Sequence, residues 1–175
     1  MIDDKEMARK LNGYALVATV IFYLLFAAVS RFISGSEEIE TGFSGVIMGL
    51  FLFVVLIVIH ELIHAVFFKI FNPTGKIKFG FKNGMAFASS PHSMYSKRQF
   101  TWIALAPFLS ITVMMIGLYS AGWFSRELFT LLTAVHAGAC AGDFYYVYLF
   151  RQYPDDIKIE DTPVGINILR DEQQR

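Results

Sequence analysis

The apolar run from Val46 to Phe71 constrains the fold of this chain more than any other stretch. A transmembrane helix needs about 20 mainly apolar residues, so this run is long enough to cross a bilayer. It nevertheless contains His60, Glu61 and His64. An ionisable side chain near the centre of a membrane helix costs about 2.5–3.5 kcal/mol on insertion scales. Three such groups so close together require a compensating partner, and a metal ion in a water-accessible cavity would be one.

The three polar residues form the pattern H-E-x-x-H. On a helix, positions i and i+4 share a face, so His60 and His64 can direct their imidazole nitrogens at one ion. Zinc suits them, because neutral imidazole is a good ligand and zinc imposes no rigid geometry. Glu61 lies about a quarter-turn away, where its carboxylate can take a proton from water. The pattern therefore predicts a Zn²⁺ site with Glu61 as the catalytic base.

The composition indicates an integral membrane protein. Of the 175 residues, 55% are hydrophobic and 18 are Phe, and the apolar residues fall in long blocks. The net charge is zero, which gives no argument for a nucleic-acid partner, and the single Cys140 excludes an intrachain disulfide and a thiolate metal cluster. We predict a membrane domain over residues 1–150 and a polar cytoplasmic tail over 151–175. The predicted transmembrane helices are 13–32, 46–71, 100–121 and 128–150.

The segment 74–99 differs from the rest of the chain because it alternates with period two. Lys76 to Lys82 alternates, Asn83-Gly84 follows, and Met85 to Ala88 resumes a weaker alternation. This pattern predicts a β-hairpin with a type I′ turn. The hairpin is either a simple connector or an edge that aligns an extended polypeptide by strand addition. The predicted fold class is an all-α membrane protein with four transmembrane helices and a cytoplasmic β-hairpin between the second and third.

Lysine and arginine predict the orientation in the membrane. Several of them lie in the hairpin segment, whereas the first loop has only Arg31 and the third only Arg126. The positive-inside rule then places both termini and the hairpin in the cytoplasm of a multi-pass cell-membrane protein. In the third span, Pro107 lacks an N–H, so it frees a backbone carbonyl and can kink the helix.

The fourth predicted span offers a third metal ligand. Asp143 lies eight residues before Arg151, and His60 lies eleven before Phe71, so at about 1.5 Å per residue the two have similar depth. A carboxylate completes a three-ligand catalytic zinc site of the kind that leaves a fourth position open. His136 lies about two turns deeper and is the alternative ligand. We therefore predict His60, His64 and Asp143 as the metal ligands.

Two motifs carry a resemblance to a known class of enzymes. With His60-Glu61-Leu62-Ile63-His64, and Gly142-Asp143 on a later span, the chain resembles the site-two protease class of intramembrane zinc metalloproteases. It is more closely similar to small bacterial membrane proteins of the zincin-peptidase kind. The resemblance covers most of the membrane portion, including the Ala106-Pro107 step. It implies zinc-dependent peptide hydrolysis within or near the bilayer.

Two functions follow from these features. The first is a zinc-dependent intramembrane endopeptidase that hydrolyses a membrane protein or peptide as an unwound substrate, since the carbonyls of an intact helix are shielded by its hydrogen bonds. The second uses the same histidines without hydrolysis, in a metal transporter, a metallochaperone or a pseudoprotease regulator. Glu61 distinguishes them, because a binding site has no need of a base beside its ligands. Substrate identity and oligomeric state do not follow from the sequence.

Overall fold

The computed structural model describes residues 5–33, 42–82, 85–162 and 165–170. These residues form five α-helices and five β-strands. The helices are α1 (Lys5–Val29), α2 (Phe43–Phe71), α3 (Lys97–Ser120), α4 (Arg126–Ala139) and α5 (Ala141–Phe150). The strands are β1 (Lys78–Lys82), β2 (Met85–Ser89), β3 (Met94–Ser96), β4 (Lys158–Thr162) and β5 (Gly165–Leu169).

Three of the described helices are long and apolar enough to cross a membrane. The candidate spans are Arg9–Val29, Gly45–Phe71 and Lys97–Ser120. Large apolar side chains on α1 and α2 are widely exposed, among them Leu16 at 69% and Leu50 at 63%. Exposed apolar surface on this scale is expected of a membrane protein, because lipid rather than water covers it.

The predicted fold class is wrong in two respects. The fourth predicted transmembrane helix, 128–150, is divided into α4 and α5, and neither is long enough to span. Cys140 is the C-cap of α4 and leaves the helical conformation with ψ 7°. Gly138 and Gly142 flank it, and glycine lowers helix propensity by about 1 kcal/mol relative to alanine.

The second error concerns the β structure, because the chain forms two small antiparallel sheets rather than one hairpin. β1 and β2 pair where the alternating pattern predicted strands, with Phe79 opposite Ala88. The predicted turn residues Asn83 and Gly84 lie outside the described residues. The second sheet has the order β3-β4-β5 and includes residues from the predicted polar tail.

The chain divides into two compact units. The first comprises Met1–Leu11, Ile59–Pro107 and Gly142–Arg175, and the second comprises Asn12–Val58 and Phe108–Ala141. The core of the first unit joins helix and sheet residues: Phe68, Tyr95, Phe100, Ile103, Phe150, Ile157 and Ile159. Ile157 and Ile159 are therefore buried in a hydrophobic core, which a polar composition alone did not predict.

Among the described residues of the second unit, the core is formed by packed helices. The rings of Tyr119 and Phe129 stack with centroids 4.6 Å apart, and Phe26 meets Phe129 edge-on. A Cβ added at Gly138 would collide with the Thr19 hydroxyl and the Ala15 carbonyl. Small residues allow this kind of close approach between apolar helices. Glycine at position 138 is thus required by the contact between α1 and α4.

Candidate metal centre

His60 and His64 lie one turn apart on α2, as the i, i+4 spacing predicted. Their Nε2 atoms are 3.1 Å apart, and their ring planes are 78° from parallel. The His60 side chain is 13% exposed and the His64 side chain is 11% exposed. The helix thus brings the Nε2 atoms of two largely buried imidazoles together.

Asp143 brings a carboxylate to the two imidazoles from the first turn of α5. Its Oδ2 lies 3.4 Å from the His60 Nε2, and its Oδ1 lies 3.5 Å from the His64 Nε2. A tetrahedral zinc ion with bonds of about 2.0–2.1 Å has donor atoms about 3.3–3.4 Å apart. The spacing of the three groups therefore fits one tetrahedral ion.

The second nitrogen of His64 is held by a backbone carbonyl. The His64 Nδ1 lies 3.0 Å from the Ile103 oxygen on α3. A carbonyl can only accept, so Nδ1 carries the proton and Nε2 presents its lone pair. Histidines that bind metals are usually oriented in this way by a partner on the other ring nitrogen. This contact holds His64, a candidate ligand, with its Nε2 facing His60 and Asp143.

Glu61 lies next to this cluster and contacts the first sheet. Its carboxylate accepts a hydrogen bond from the Ala88 N–H on β2 and lies within electrostatic range of His60, His64 and Asp143. A carboxylate in this position can exchange protons with water held between the donors. The contact also places the outer edge of β2 beside the cluster, since the opposite edge of β2 is bonded to β1.

The donor set fits zinc chemically as well as geometrically. His60, His64 and Asp143 offer three donor atoms that lie within 4.8 Å of one another, enough to hold a metal ion. Two imidazoles and one carboxylate are a common catalytic zinc set, which leaves one position open. One negative charge partly offsets the divalent ion in a poorly hydrated site. His136 lies on α4, in the second compact unit. That Asp143 rather than His136 is the third metal ligand stays a prediction.

Asp161 on β4 is a titratable group near the site that the sequence analysis missed. It is 8% exposed, and its Oδ2 accepts the Ser90 N–H at 2.8 Å. Burial raises the pKa of Asp161 to about 7, against the lowering effects of the Ser90 hydrogen bond and of His64. Its signal in the sequence was the alternation of Ile157, Ile159 and Asp161 with polar residues, which is typical of a half-buried strand.

Comparison with known proteins supports the chemistry of the donor set. No curated protein and no solved structure matches the chain. One family model does match, over residues 53–158, and its description is "Putative zincin peptidase". The match covers α2 from Phe53 onwards, the first sheet, α3 and α5, and so includes all four predicted site residues. Because it covers more than half of the 175 residues, the chain belongs to this zincin-peptidase family.

Proposed function

We propose that the protein is a zinc-dependent intramembrane endopeptidase with His60, His64 and Asp143 as ligands and Glu61 as base. Membership of the zincin-peptidase family indicates a metallopeptidase. The observation that carries the finer proposal is the position of the donor cluster, since two of its members lie on the candidate span Gly45–Phe71.

The residues of the chain divide the chemistry between them. Zinc, when bound, would supply Lewis-acid activation of a water molecule and of the scissile carbonyl. The Glu61 carboxylate takes the proton of the attacking water and later gives it to the leaving amine. The Ile103 carbonyl keeps the His64 ring in place throughout, so that the site needs little rearrangement during the reaction.

The substrate must present an unwound, extended peptide, and the outer edge of β2 offers a place for it. The N–H groups on that edge are not used by β1, and Ala88 lies beside Glu61. An extended segment can add to such an edge through its own backbone hydrogen bonds. We propose that a membrane protein or peptide binds there and is cleaved where it crosses the donor cluster.

The metal and the reaction are tested together on protein purified in detergent. We expect about one zinc per wild-type chain. Severe loss of zinc is expected in His60→Ala, His64→Ala and Asp143→Ala. Glu61→Gln should retain zinc and lose hydrolysis of an added transmembrane peptide. A Glu61→Gln variant that cleaves like the wild type would contradict the proposed base, and zinc retained after loss of both histidines would contradict the metal site.

For the orientation, we propose a multi-pass cell-membrane protein with both termini and the first sheet in the cytoplasm. β3 immediately precedes α3 and β4 follows α5, yet Tyr95 on β3 pairs with Ile159 on β4. The chain therefore returns to the side from which α3 starts. Lysine and arginine residues are concentrated on this side, which favours its assignment to the cytoplasm.

Cysteine labelling of intact cells tests the orientation. The native Cys140 is buried, so introduced cysteines report separately. Lys76→Cys lies at an exposed position between α2 and β1 and should resist an impermeant maleimide. Trp123→Cys, at a position 74% exposed beyond the far end of α3, should react. The reverse pattern would invert the proposed orientation.

A further inference from the structure

The hydrogen bond between His64 and Ile103 depends on an unusual feature of α3. In an α-helix the carbonyl of residue i accepts the N–H of residue i+4. For Ile103 that residue is Pro107, which lies inside α3 and has no N–H. Ile103 and Pro107 are both almost completely buried, so water is a poor substitute. The Ile103 carbonyl therefore needs a partner from outside its own helix.

His64 is that partner. Its Nδ1 lies 3.0 Å from the Ile103 oxygen, although the two residues are 39 positions apart. A proline ring also presses against the carbonyl four residues earlier and turns it away from the helix axis. Because of both effects of Pro107, the Ile103 oxygen can accept a hydrogen bond from the side of α3 that the His64 imidazole approaches.

We infer that Pro107 is a positioning residue of the metal centre, because by withholding an N–H it reserves the Ile103 carbonyl for His64. This inference rests on the proposed metal site. With that carbonyl as its acceptor, His64 keeps its proton on Nδ1 and its lone pair on Nε2, directed toward His60 and Asp143. An ordinary residue at position 107 would compete with His64 for the same oxygen.

A simpler role for Pro107 is to bend α3 for packing alone. The two roles differ in what Pro107→Ala does. If the proline only shapes the helix, the substitution changes stability and leaves the intrinsic zinc affinity unchanged. If it reserves the carbonyl, the new N–H binds the Ile103 oxygen, and the His64 ring loses its orientation. Zinc affinity then falls while the stability of the metal-free protein is kept or rises, which a packing role does not predict.

Zinc affinity is measured on the full-length protein in detergent by competition with a chelator. We expect Pro107→Ala to bind zinc about 10–100-fold more weakly, the usual cost of losing a partner of a ligating histidine. The metal-free variant should melt at the same temperature as the wild type or higher, since alanine is a better helix former. Pro91→Ala, outside the helix, is the matched control and should leave zinc affinity unchanged.

An ester analogue separates the N–H from the ring. Lactic acid at position 107 has the side chain of alanine and no N–H, so it should restore wild-type zinc affinity. Unchanged affinity in Pro107→Ala would overturn the inference, as would its failure to fold, because the ring would then be structural. Weak binding in both the alanine and the lactic acid variants would also overturn it.

The inference can fail independently of the proposed function. If the wild-type protein binds no zinc, the proposed metal site fails. The ¹⁵N shifts of His64 in the metal-free protein then decide the role of Pro107. We expect an Nδ1–H imidazole in the wild type and a mixture of tautomers in Pro107→Ala. The same tautomer in both proteins would overturn the inference.

Discussion

The two sheets of the first compact unit differ in how far their side chains are buried. In β1–β2 the aromatic side chains Phe79 and Phe81 are 56% and 74% exposed. In β3–β4–β5 the side chains of Tyr95 and Ile159 are at most 1% exposed and belong to the core with Phe68 and Phe100. The three-stranded sheet is therefore part of the packed structure, whereas the two-stranded sheet contributes little burial.

This difference in burial suggests different roles for the two sheets, with the three-stranded sheet in folding stability and the two-stranded sheet in substrate turnover. A two-stranded hairpin is at best marginally stable without further packing, so β1–β2 depends on its neighbours. Its outer edge reaches Glu61 through the Ala88 N–H. We expect substitutions in the three-stranded sheet to reduce folding stability, and substitutions in the hairpin to change substrate turnover with little effect on stability.

The largest expected effect on stability is that of Ile159→Ala. Ile159 is fully buried, and removal of a large aliphatic side chain from a core costs about 2–5 kcal/mol. The measurement is denaturant or thermal unfolding in detergent. Phe81→Ala, in the exposed hairpin, is the control and should change stability by about 0.5 kcal/mol or less. Equal losses in the two variants would show that the hairpin is part of the core.

An intermediate effect is expected from Asp161, and it depends on pH. Burial raises the pKa of Asp161 from 3.8 to about 7, so the folded protein holds this proton more tightly than the unfolded chain. The stabilisation is complete below about pH 4 and is lost as the pH rises through about 7. Asp161→Asn carries no titrating group and should lack this loss.

The test for Asp161 is the difference in melting temperature between Asp161→Asn and the wild type. We expect the difference to shift in favour of the variant between about pH 4 and 7. Glu160→Gln, on the more exposed face of β4, removes a neighbouring carboxylate and is the control. A flat difference for Asp161→Asn would show that this carboxylate is not protonated in the folded protein near neutral pH.

The smallest effect on stability, but a clear effect on catalysis, is expected of Ala88→Pro. The Ala88 N–H points away from β1 to the Glu61 carboxylate, and proline is tolerated at such an edge. Loss of a hydrogen bond to a charged group costs about 1.5–3 kcal/mol. We therefore expect a reduction in kcat of about tenfold to a hundredfold, with zinc retained.

Ala86→Pro provides the control for that hairpin substitution. Its N–H lies on the same outer edge two residues further along β2, away from Ala88. If the edge binds the substrate, Ala86→Pro should raise KM and leave kcat nearly unchanged. An Ala88→Pro variant with normal kcat would show that the contact with Glu61 has no part in the reaction.

The sequence predicted those features that local patterns determine. Period-two alternation indicated the strands of the first sheet, and the i, i+4 spacing placed His60 and His64 on one face of α2. It did not predict the second sheet, because β3 has only three residues and its partner lies beyond α5. A short strand leaves almost no pattern, and its pairing is decided by distant residues.

The division of the fourth predicted span has a different cause. Hydropathy indicates that a segment is apolar but not that its helix is continuous. Cys140 and the glycines around it interrupt the helix within an apolar run. The requirement for Gly138 comes from its contact with Thr19, which no local pattern contains. Asp161, near the site, was missed for the related reason that residues 151–175 were predicted to be a polar tail.

The pairing of β3 with β4 also determines when, during synthesis of the chain, the fold can be completed. Tyr95 and Ile159 are neighbours in the sheet, but the ribosome makes them 64 residues apart. Pairing between such distant segments forms late, because a long loop must close first. α2 and its two histidines are complete well before Asp143 and β4 are made. Zinc that arrives during translation would therefore meet an unfinished centre, and the proposed three-ligand site can form only once Asp143 has been synthesised.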